Sequence, residues 1–183
     1  MAQLAWLLRA INQINRTIGN TFAWLSVAIV VVCFWVVVER YVFANTRLWM
    51  QDLYVWLNGA MFMAVAGFAL LREEHVRVDI FYRPASARRK AWSDLIGALV
   101  FLLPFATVVF VFSLEFVRRS WRYAENSANI GGMPDLYILK TFILVFAVLI
   151  GLQGVAILIR SILVLAGREE LVPQDYRYAQ PAG

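Results

Sequence analysis

Apolar residues along this chain collect in four long runs, and most charged residues collect at their ends. The runs cover about Thr21 to Phe43, Trp49 to Leu71, Leu95 to Val117 and Leu136 to Leu165. Each reaches the roughly 20 residues that a helix needs to cross ~30 Å of hydrocarbon. Lipid cannot hydrogen-bond to backbone groups, so a helix, which satisfies its own, is expected over a strand. With 183 residues and 62% hydrophobic composition, the chain has too little polar material to bury four such helices in a soluble body. The expected fold class is therefore all-α integral membrane. It comprises four transmembrane helices, an N-terminal amphipathic surface helix and a short cytoplasmic interfacial helix.

The expected domains are an amphipathic helix over residues 1–20, a four-helix transmembrane domain over 21–165 and a polar cytoplasmic tail over 166–183. In the first, Leu4, Leu7, Leu8, Ile11, Ile14 and Ile18 fall on one helical face, with Gln3, Arg9, Asn12, Asn15 and Arg16 opposite. A turn into the membrane is expected at Gly19-Asn20. The run after it is too long for the apolar part of a cleaved signal peptide. Pro104 lies inside the third run and is expected to kink it, because proline removes a helix hydrogen bond. Ser86 to Trp92 reads as the short basic interfacial helix, and the polar stretch from Arg168, with two prolines, as a disordered tail.

No ionisable residue sits at the middle of a run. Charges inside a bilayer are costly and mark ion or substrate pathways, so their absence there points away from a transport path within this chain. Small residues at helical spacing (Ala60, Ala64 and Gly67 in the second run, Gly151 and Gly154 in the fourth) are helix-packing candidates. Gln153 joins them, since an amide in lipid requires a partner, on a neighbouring helix of this chain or of another.

Basic residues distribute unevenly, with eleven Lys and Arg on the side of both termini and the 72–90 loop and six on the other. The positive-inside rule then places both termini in the cytoplasm. The net charge of +5 does not signal nucleic acid, because the basic residues stand at membrane ends, where they meet lipid headgroups. The opposite end carries Arg40, Asp52, Arg118, Arg119, Arg122 and Lys140, against the usual bias. These are candidates for docking a periplasmic partner or for ion pairing. Asp52, near the start of its run, has two readings: a helix N-terminal carboxylate favoured by the macrodipole, or an ion pair with Lys140 or Arg40.

The single cysteine, Cys33, cannot form an internal disulfide, and the single histidine, His75, cannot supply the paired axial ligands of a b-type haem. No catalytic constellation, phosphate-binding loop or metal-ligand set is present, so the chain is expected to be neither an enzyme nor a cofactor protein.

The segment His75-Val76-Arg77-Val78-Asp79-Ile80-Phe81-Tyr82-Arg83 closely resembles the signature of the small, Q-type membrane subunit of tripartite ATP-independent periplasmic (TRAP) transporters. Arg40-Tyr41-Val42-Phe43, Trp49-Met50-Gln51-Asp52 and Ser127 through Gly131-Gly132-Met133-Pro134, followed by Lys140, resemble further family segments in the same order. Asp52 stands where the family more often has Glu, and Met133 where it has Leu. The resemblance covers roughly residues 20 to 165. It implies a bacterial inner-membrane subunit that scaffolds a large multi-spanning transport subunit. That partner carries the substrate and sodium sites, and a periplasmic binding protein delivers an organic acid to it. Membrane lipids are the other expected partner. The alternative is a membrane anchor of a redox or enzyme complex, disfavoured by the missing His and Cys ligands. Within the signature segment, His75, Arg77 and Asp79 are candidates for a cytoplasmic latch, against a plain connecting loop.

Overall fold

The computed structural model describes residues 1–73, 82 and 85–178, and every regular element among them is helical. Helix α1 spans Ala2–Ala23, α2 Leu25–Val42, α3 Leu48–Leu71, α4 Ala87–Gly97, α5 Leu103–Arg122 and α6 Leu136–Leu165. Four continuous stretches (Ala2–Val42, Leu48–Leu71, Ala87–Arg122 and Leu136–Leu165) are long and apolar enough to cross a membrane.

Helix α6 is the central element. At 30 residues it is about 45 Å long, some 15 Å more than the hydrocarbon of a bilayer. It is apolar on all sides because α1, α3, α4 and α5 all pack on it. Helices α3 and α6 run parallel: Gly59 faces Leu139 and Gly67 faces Leu149. The N-terminal turns of α1 and the segment 166–178 lie at one end of this bundle, where Leu8, Ile11, Leu71, Ile159, Leu163, Val172 and Tyr176 form one apolar cluster. The loop before α6 lies at the other end.

Four local expectations change. The chain does not turn at Gly19-Asn20. Helix α1 continues to Ala23 and only the hydrogen-bond pattern at Trp24 is irregular. Gly19 instead permits close approach: a Cβ there would collide with Phe68 of α3. Helix α1 also buries a different arc from the one its apolar residues mark. Leu8, Ile11, Asn12, Asn15 and Gly19 face the bundle, whereas Leu7 and Ile14 stay exposed beside Trp6. The apolar arc is thus shared between the protein interior and its outer surface.

The short basic helix is present as α4, longer than expected and continuous with the third span. Helix α4 runs straight into the third span through a widened π segment, Ala98–Leu102, just before Pro104. Proline offers no N–H and its ring crowds the carbonyl four residues back, here Val100. A widened turn accommodates both, so the expected perturbation takes this form. Finally, residues 166–178 are not a disordered tail. Two 3₁₀ turns, Glu169–Leu171 and Gln174–Tyr176, fold the segment back so that Val172, Tyr176 and Tyr178 are buried.

Candidate functional site

Two polar clusters organise the bundle, one at each end. At the end where α1 begins and α6 finishes, Arg160 of α6 is 1% exposed. Its Nη1 donates to Glu73 Oε1 at 2.6 Å and its Nη2 to Asp94 Oδ2 at 2.7 Å. The guanidinium lies 4.2 Å from the ring centroids of both Tyr176 and Tyr178, within cation–π range. Asp94 Oδ2 also accepts from the hydroxyls of Tyr82 and Tyr178, each at 3.0 Å. Burial pushes both tyrosine hydroxyls above their ordinary pKa, against the opposing pull of the Arg160 charge. One side chain thus ties together the end of α3, helix α4, helix α6 and the C-terminal segment.

Two turns away on α6, Gln153 is fully buried. Its Oε1 accepts from Asn15 Nδ2 at 2.7 Å, and its Nε2 donates to Tyr176 Oη at 3.0 Å and to Asn12 Oδ1 at 3.4 Å. The partner that an amide in this helix requires is therefore α1 of the same chain. Asn12 and Asn15, expected on the polar face, point inward to meet it. Among the packing candidates, Ala60, Ala64, Gly67 and Gly154 are buried. A Cβ on Gly67 would collide with Asn15, and one on Gly154 would come within 2.9 Å of Leu103. Gly151 differs: a Cβ there would meet only Ala106, at an ordinary 3.7 Å.

At the other end, Asp52 takes neither of its two expected roles. Its carboxylate accepts from Asn129 Nδ2 at 2.9 Å, from the Met133 N–H at 3.0 Å and from the Ser127 hydroxyl. It staples the 127–133 loop onto α3. Gly131, at φ +75°, makes the turn, and Gly132 passes so close that a Cβ would lie 2.5 Å from Asp52 Oδ2. The Trp49–Asp52 and Ser127–Pro134 segments, far apart in sequence, are one structural unit.

Lys140 bonds to Glu125 at 2.5 Å and lies 4.2 Å from the Phe116 ring centroid. That contact and the Ser120 hydroxyl hold the Glu125 carboxyl below its ordinary pKa. Arg119 stands 3.7 Å from Glu115 on its own helix, whereas Arg40, Arg118 and Arg122 are exposed. The six candidates therefore do not converge on one site: two shape the loop, and four face outward. His75, Arg77 and Asp79 lie outside the described residues.

Arg160, Asp94, Glu73, Asn12 and Asn15 were not singled out by the sequence pattern. One signal did exist for Arg160: a fourth run too long for a bilayer, with its only charge besides Lys140 one turn from the end.

Among the described residues, no group of three or more His, Cys, Asp or Glu side chains could hold a metal ion. Comparison with curated proteins and with solved structures gave no significant match. A family model described as "Tripartite ATP-independent periplasmic transporters, DctQ component" matches residues 29–164. That stretch contains α3, α4 and α5, most of α2 and α6, the Asp52 loop and, of the Arg160 cluster, Arg160, Glu73 and Asp94 but not Tyr176 or Tyr178. The chain belongs to the DctQ component family of tripartite ATP-independent periplasmic transporters.

Proposed function

We propose that this small TRAP subunit is a non-catalytic scaffold of the bacterial inner membrane. It clasps the large subunit, which performs sodium-coupled uptake of an organic acid delivered by a periplasmic binding protein. The observation that carries this reading is how the buried polar groups of α6 are used. Gln153 and Arg160 are committed to α1, α3, α4 and the C-terminal segment of the same chain. Transporter sites are built from polar groups left free to converge near the membrane midplane, and the described helices offer no such set. Calorimetric titration of the purified chain with the transported acid and sodium is expected to give no saturable heat. A micromolar affinity would contradict the scaffold reading.

The basic-residue asymmetry supports an orientation with both termini cytoplasmic, which puts the Asp52-stapled loop in the periplasm. The loop presents Ile130, 95% exposed, on a backbone fixed by hydrogen bonds, with Arg40 and Arg119 at the same end of the bundle. This surface is our candidate for binding-protein docking. Reversing Arg40 and Arg119 should slow uptake at low binding-protein concentration, more strongly at low salt. For His75, Arg77 and Asp79 the latch reading is kept: Asp79→Ala should lower the amount of assembled complex without lowering uptake per complex.

A further inference from the structure

Helix α5 carries Leu114, Val117, Arg118, Trp121 and Arg122 on one face, at successive one-turn spacings. With Leu144 of α6 these residues line an open groove of about 490 Å³. The groove is graded along the helix axis. Its floor, toward mid-bundle, is apolar, with Val117 buried and Leu114 and Leu144 beside it. Its mouth, at the end where α6 begins, is formed by the exposed Arg118 and Arg122. Trp121 stands at the mouth, one residue before Arg122, its indole nitrogen donating to Thr141 at 2.9 Å and its ring 4.6 Å from that of Tyr137, which fixes it as a wall.

Arg118 and Arg122 make no ion pair within the described chain, whereas the nearby Arg119 and Lys140 have carboxylate partners. The helix C-terminal dipole explains a basic residue at Arg122 but not Arg118 a full turn earlier, above an apolar floor.

We infer that this groove binds an anionic phospholipid, with its phosphate between Arg118 and Arg122 and an acyl chain along Leu114, Val117 and Leu144. Two cations over an apolar floor, with an interfacial tryptophan beside them, match a molecule that is anionic at one end and hydrocarbon at the other. A soluble acidic protein would satisfy the arginines but leave the floor uncovered. The floor lies more than a turn inside both helices, where lipid chains reach. The groove lies at one end of the bundle and meets a lipid leaflet in either orientation of the subunit in the membrane.

Native mass spectrometry of the full chain, titrated with phosphatidylglycerol, phosphatidylcholine or inorganic phosphate, tests this. Phosphatidylglycerol should be retained preferentially. The Arg118→Gln/Arg122→Gln double variant should weaken it by roughly ten- to thirty-fold, from the contribution of each basic residue near a lipid surface. Leu144→Trp, which fills the floor and leaves both charges, should weaken it as well. Phosphate should not compete. Unchanged phosphatidylglycerol retention in both variants would overturn the inference. So would competition by phosphate with no effect of Leu144→Trp, which would mean a simple anion site. A double variant that keeps its lipid but loses the co-purified large subunit or binding protein would make this face a protein interface instead.

Discussion

Arg160 is fully buried, yet its charge is matched by two carboxylates and two aromatic rings. Removing one member of a buried ion pair costs about 3–5 kcal/mol, because the partner stays desolvated. Glu73 is partly exposed and can rehydrate, and Asp94 keeps two hydroxyl donors, so Arg160→Met should fall near the lower bound, about 3 kcal/mol. Thermal unfolding in detergent measures the loss, and protease cutting near Val172 should become faster as the C-terminal segment detaches. The two tyrosines supply a pH test. Their raised pKa in the folded state means that the protonated form is favoured by folding. Their contribution is present below the ordinary tyrosine pKa of about 10 and fades as pH rises beyond it. An ultraviolet titration should show a late phenol phase whose amplitude falls in Tyr176→Phe/Tyr178→Phe. At this scale the sequence was least legible. The partners of Arg160 come from positions 73, 94, 176 and 178, and only the folded chain brings them together.

At the scale of elements, small residues mark where helices approach, but spacing does not say which of them are crowded. Gly67 and Gly151 both fit a small-residue pattern. A methyl at Gly67 collides with Asn15 and comes within 3.1 Å of Leu149, whereas a methyl at Gly151 makes an ordinary contact with Ala106. Gly67→Ala should therefore lower the unfolding temperature and loosen α1 from the bundle, by an overpacking cost of about 1–3 kcal/mol. Gly151→Ala should be neutral or slightly stabilising. Thermal unfolding of the two variants side by side checks this; equal effects would remove the steric argument. The four spans were legible because bilayer thickness imposes their length and apolar composition. The inward turn of Asn12 and Asn15 was not, because amphipathicity alone cannot distinguish a helix lying on lipid from one that meets a buried glutamine. The C-terminal segment misled for a related reason: its polar, proline-containing composition hides three residues (Val172, Tyr176 and Tyr178) that supply burial.

The whole molecule is a bundle closed by polar clusters at both ends and apolar over its sides. Val27, Val30, Val31 and Phe34 of α2 and Val108, Val111 and Phe112 of α5 are exposed, as surfaces facing lipid or another membrane protein are. Helix α3 departs from this. Asn58 is exposed between Val55 and Phe62, and its side chain has no hydrogen bond within the described chain. A lone amide at that depth favours a partner helix over lipid. Asn58→Leu should leave thermal stability of the isolated chain unchanged while reducing co-purification of the large subunit; unchanged co-purification would place the interface elsewhere.

In the scaffold reading proposed above, the polar groups buried in α6 hold the subunit together and take no part in moving substrate. Gln153→Leu combined with Arg160→Met removes both. The measurement is the yield of complex with the large subunit, together with uptake per assembled complex in proteoliposomes supplied with binding protein. The expected result is a reduced yield with uptake per complex within about twofold of the unmodified protein, under about 0.4 kcal/mol in activation free energy. Full assembly with uptake abolished would show that these residues act in the transport cycle itself.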